Sequence, residues 1–63
     1  MEIARVKYNL GRTVTFRGAA YTMTAVIMRQ GKQGFAYQAE LKDPNAKSAI
    51  VIVDLKEVKE ETT

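Results

Sequence analysis

Apolar and polar positions alternate with a period of two over several short runs of this chain, the pattern of β-strands with one buried face. The sharpest run is Phe35 to Lys42, with Phe35, Tyr37, Ala39 and Leu41 on one side and Ala36, Gln38, Glu40 and Lys42 on the other. From Tyr21 to Arg29 the odd positions Tyr21, Met23, Ala25 and Ile27 form the more apolar face, against Thr22, Thr24, Val26 and Met28. Upstream, Val14 and Phe16 alternate with Thr13, Thr15 and Arg17. SAIVIVD is apolar on both faces, as expected of a central or barrel strand, and a last short strand is expected around Val58.

The breaks between these runs have their own chemistry. Gly18 allows a tight turn into Tyr21, and the glycines of RQGKQG suit a hairpin between the second and third strands. KDPNAK is a strong break, because Pro44 fixes φ and Asp43 and Asn45 favour turns. Asp54 is placed to start a single 3₁₀ turn before the last strand. The first ten residues read two ways. Ile3, Val6 and Leu10 fall at helical spacing with Gly11 as a C-cap, whereas Ala4, Val6, Tyr8 and Leu10 would line a strand. We read them as a short helix over about residues 2–10. Val26 and Met28 would then lie beneath that helix, against Ile3, Val6 and Leu10.

The resulting fold class is mainly β: a five-stranded small barrel over about residues 12–60, with the short N-terminal helix and a frayed tail at 61–63. Closure suits so short a chain because it removes unpaired edges. A single domain, residues 1–63, is near the lower size limit for folding without staples.

Composition narrows the chemistry. The chain has no cysteine and no histidine, which removes disulfides, thiolate metal sites, the commonest metal ligand and the commonest general base. Glu40 with Asp43, and Asp54 with Glu57, are acid pairs three apart, but neither approaches a calcium-loop pattern and both read as solvated turn acids. Ser48, the one serine, has no base in view. No glycine motif has phosphate-loop spacing. We therefore expect no enzyme activity, no catalytic or metal-binding residue and no cofactor. The longest apolar run, Ala49–Val53, is far too short to span a bilayer, and the N-terminus lacks a signal-peptide pattern, so no membrane association and a cytoplasmic location are expected.

Net charge is +3, unevenly spread: residues 1–32 carry +5 and residues 33–63 carry −2. If the first two strands form a hairpin, Arg17 sits at its turn, and Arg12 and Arg29 meet at the opposite end beside Lys32. These four residues are the candidate contacts for a nucleic acid or a partner, with Tyr8 or Phe35 as a stacking face.

The segments GRTVTFRGAAYTMTAVIM, GFAYQAELKD and SAIVIVDLKEV together resemble a Src-homology-3-like (SH3-like) barrel with a short N-terminal helix. The order V-x-F-x-G-x-x-Y-x-M-x-A and then Y-x-A-x-L-x-D is also similar to Tudor-type barrels. YNLG, YQAEL and a closing V-x-L-x-E-V resemble small uncharacterised proteins of Gram-positive bacteria and their mobile elements, over about residues 8–59. Tudor domains hold methylated side chains in an aromatic cage; here there are five aromatics and no Trp, so no cage residues carry over. The resemblance supports the fold and leaves function unassigned; our reading is a non-enzymatic binding module that recognises a protein partner, as an accessory factor of a bacterium or its mobile element. Direct nucleic-acid binding is the alternative, and a phage-type inhibitor of a host nucleic-acid enzyme is a third. The expected state is a monomer or weak homodimer.

Overall fold

The computed structural model describes residues 1–45 and 49–61. Ser48, with the start of the SAIVIVD run, and the tail residues 62–63 lie outside the described residues. The chain enters through a 3₁₀ turn, Ile3–Arg5, and one α-helical turn, α1, Val6–Asn9. Strands β1 (Thr13–Phe16), β2 (Ala19–Gly31), β3 (Gly34–Lys42) and β4 (Ile50–Asp54) follow; a 3₁₀ turn, Leu55–Glu57, leads to β5 (Val58–Glu60). The expected helix is present but shorter than residues 2–10. Gly11, at φ +80°, stops it in the left-handed conformation that a side chain resists.

All five strands form one antiparallel sheet in the order β4-β3-β2-β1-β5. The expected barrel is not closed: β4 and β5 are the two margins of the sheet rather than neighbours. Yet only Leu55–Glu57 separates them in the chain. Four Cα steps span at most ~14 Å, so the sheet has to curl, and the curl encloses the core. Val14, Met23, Ala39, Leu41, Leu55, Val58 and Val6 are buried there, with Phe16, Tyr21, Val26, Tyr37 and Val53 packed around them.

The register corrects one reading of β2. Met23 pairs with Leu41, but the next pair is Ala25 with Glu40, followed by Val26 with Ala39. Thr24 is thus one residue too many, a β-bulge, and its hydroxyl donates to Glu40, lying 2.9 Å from Oε1 and 3.2 Å from the backbone oxygen. Before the bulge the odd residues face the core; after it the even ones do. Val26 therefore joins the core, while Ala25 and Ile27, expected inside, share the outer face with Glu40 and Gln38. Met28 does not take its expected place under the helix: it is on the core side but 60% exposed, and Ile3 and Leu10 are exposed as well.

The N-terminal segment is tied to the far end of the chain. The Met1 ammonium donates to the carbonyl oxygens of Leu55 (2.8 Å) and Val58 (2.6 Å). Asn9, the one buried polar residue among the described residues, donates from Nδ2 to Arg5 O (2.8 Å) and to Glu60 Oε1 (2.7 Å). Arg5 Nε reaches the same carboxylate oxygen at 2.9 Å. Asn9 and then Arg5 hold the Glu60 carboxyl below the usual glutamate range.

Candidate functional site

Strand lengths decide where side chains are left uncovered. β2 and β3 run as a long hairpin to the two-residue loop Lys32–Gln33, but β1 pairs only with residues 19–22 of β2, and β4 reaches only to Gln38 on β3. The outer half of the hairpin therefore overhangs the core. Met28 pairs with Tyr37 and Gln30 with Phe35, so Met28 and Phe35 are diagonal neighbours on one face. Phe35 shares the alternating face of buried Ala39 and Leu41, yet it is 62% exposed, because the core ends before the strand does.

Beside this overhang lies a groove of about 460 Å³. Phe35 and Tyr37 form one wall, Met1 and Ile3 the other, and buried Leu55 is among its lining residues. The two hydrogen bonds of the Met1 ammonium hold the second wall in place. Glu2, Asp54 and Lys56 give it a charged rim. Chemically, the groove suits an apolar side chain offered by another molecule, with polar groups at its margin.

A second, broader depression is polar and centres on half-exposed Tyr8. The Arg5 guanidinium lies 4.8 Å and the Lys7 ammonium 5.1 Å from the ring centre, and Arg12 lines the same surface. Glu60 and Glu61 set two carboxylates against these three cations, and Arg5 is bonded to one of them. The surplus of positive charge is small.

The four sequence candidates do not form one patch. Arg12 accepts from the Met23 amide through its carbonyl (3.1 Å), and Arg29 lies six residues farther along β2, about 20 Å at strand rise. Arg29 Nε donates to Gln38 Oε1 at 2.6 Å, and Lys32 is in the hairpin loop. Arg17 is at the β1–β2 turn as expected, with φ +50° and its guanidinium 5.2 Å from the Phe16 ring centre. The meeting of Arg12 with Arg29 and Lys32 required strands of equal length, and β2 is far longer than β1.

The acids have structural work. Asp43 Oδ1 accepts from the Asn45 amide (2.8 Å), and Asp54 Oδ1 accepts from Lys56 (3.3 Å) to cap the 3₁₀ turn. No group of three potential metal-ligating side chains occurs among the described residues, and no helix among them is long and apolar enough to cross a membrane. Sequence reasoning raised Phe35 only as a stacking face and set Ile3 and Met28 against each other beneath the helix, whereas all three are exposed. The length difference between TVTF and AAYTMTAVIMRQG was the signal that could have found them.

No family model, curated protein or solved structure matches the chain.

Proposed function

We propose that this chain is a non-enzymatic binding module that recognises a protein partner by taking an apolar side chain into the groove between Met1–Ala4 and Phe35–Tyr37. The observation that carries this reading is Phe35, 62% exposed at the wall of an apolar groove on a protein with so small a core. An aromatic ring held at the margin of a pocket is the kind of group that dominates interface energetics. The residue inventory supports a binding role over catalysis, since cysteine and histidine are missing and Glu40, Asp43, Asp54 and Glu60 are each engaged by a neighbour. The SH3-like likeness, and a role as accessory factor of a Gram-positive bacterium or its mobile element, stay part of this proposal on the sequence resemblance alone. Inhibition of a host nucleic-acid enzyme would be one case of it.

The test is affinity capture with nuclease-treated lysate, comparing the native chain with Phe35→Ser. One stoichiometric protein is expected with the native chain and not with the variant, whose circular dichroism should be unchanged. A partner retained equally by Phe35→Ser would sink the groove reading.

The second reading, nucleic-acid binding, is favoured by one feature: the exposed Tyr8 ring between Lys7, Arg5 and Arg12. It now rests on Lys7, Tyr8 and Arg12 rather than on Arg29 and Lys32. Binding of mixed-sequence DNA or RNA at low salt, weakened by added salt and removed by Lys7→Glu with Arg12→Glu, would support it. No mobility shift at low salt would dismiss it.

A further inference from the structure

The two margins of the sheet differ in a way that points to an occupant. An unpaired margin presents a row of backbone donors and acceptors, and proteins blunt it with short strands, charges, proline or bulges. β5 is blunted: it is three residues long and includes Lys59 and Glu60. β4 is not. It reads IVIVD, keeps an unbroken register with β3, and carries no charge before Asp54. Ile50, Val51 and Ile52 are 53%, 38% and 45% exposed along it. Ile50 and Ile52 share the outer face with their β3 partners Lys42 and Glu40, so the core does not need them.

We propose that the β4 margin pairs with β4 of a second copy of this chain, antiparallel about a two-fold axis near Val51. The strand matches itself in that arrangement. Ile50 falls opposite Ile52 of the other copy and Val51 opposite its own equivalent, which places four isoleucines in one row on the outer face. Asp54 falls beyond the matched run, so no carboxylate is set against an apolar neighbour. Pairing β4 with β5 of another copy is the competing arrangement. It would set Ile and Val against Lys59 and Glu60, and it would leave a free margin at each end for further growth. The two-fold arrangement consumes both unblunted margins and leaves the charged ones outside, so it stops at two. It joins two five-stranded sheets into one of ten.

Three matched residues within β4, extended by Val53 opposite Ala49, make a small interface against the roughly 800 Å² per partner of standard complexes. The dimer is accordingly weak, with a dissociation constant on the order of 100 μM to 1 mM. Sedimentation equilibrium of the purified chain from about 10 μM to about 2 mM spans that range. The weight-average mass is expected to rise from the 7.1 kDa of one chain toward twice that value. Ile52→Lys, which installs a margin charge at an already exposed position, should raise the dissociation constant at least tenfold; Ile50→Lys repeats the test should the first variant lose its fold. In the native chain, the Ile50 and Ile52 amides point away from β3, and their protection from hydrogen exchange should grow with concentration. A constant single-chain mass across the range overturns the proposal. So does growth beyond two copies, or association that survives both lysine variants and is lost in Phe35→Ser, which would place the contact in the groove.

Discussion

Leu41 occupies the middle of the curled sheet, and its truncation is the most direct test of where the core lies. It is fully buried, pairs with Met23 on one side and Val51 on the other, and both ladders fix its backbone. A site held between two strands collapses little around a lost side chain, so Leu41→Ala should fall in the middle of the range for such changes, about 3–4 kcal/mol. A 63-residue chain has a total stability of roughly 3–9 kcal/mol, so about a third or more of it would go. Val51, the neighbour on β4, is 38% exposed at the margin, and its change to alanine should cost less than about 1 kcal/mol. Urea unfolding of the three proteins measures this, since a denaturant slope near 1 kcal/mol per molar turns the Leu41 loss into a midpoint shift of about 3 M. Equal costs at the two positions, or less than about 1.5 kcal/mol at Leu41, would show that the core is not centred where the curl places it.

Two further outcomes follow from local geometry. Arg17 holds φ +50°, a conformation that asparagine enters more readily, and its cation–π contact with Phe16 is surface-exposed; Arg17→Asn should therefore stabilise the chain by about 0.5–1 kcal/mol in the same urea assay. For Glu60, held below the usual glutamate range by Asn9 and Arg5, the folded state favours the charged form. Its contribution is thus full above the unfolded glutamate range and is lost as pH falls through the lower, folded value. Glu60→Gln should be the less stable protein at neutral pH, and the gap should close on acidification. A gap that widens in acid, or a Glu60 carboxyl titrating above ordinary glutamates by NMR, would contradict the assigned contacts.

Alternation placed the strands well, because a period of two is written in neighbouring residues. It identified the buried side of β3 from Ala39 and Leu41 but could not say how far along the strand the core extends. That limit is set by the lengths of β1 and β4, and it left Phe35 outside. The same missing length misplaced Arg12 relative to Arg29. In TMTAVIM both parities carry apolar residues, so the change of face at Thr24 leaves no local trace. Helical spacing chose Ile3, Val6 and Leu10, whereas the buried residues of α1 are Val6 and Asn9. Asn9 is wanted there by Glu60, 51 residues away, and no window of sequence shows such a demand.

The bulge at Thr24 also bears on how this chain can change its length. Removing one residue there would leave Met23 opposite Leu41 and Val26 opposite Ala39, with every side chain still facing as it does now. The same deletion at Ile27 would turn the rest of β2 inside out. Relatives of this protein can therefore gain or lose a residue in the middle of its longest strand without disturbing the core, and an alignment that forbids gaps inside strands would misread them.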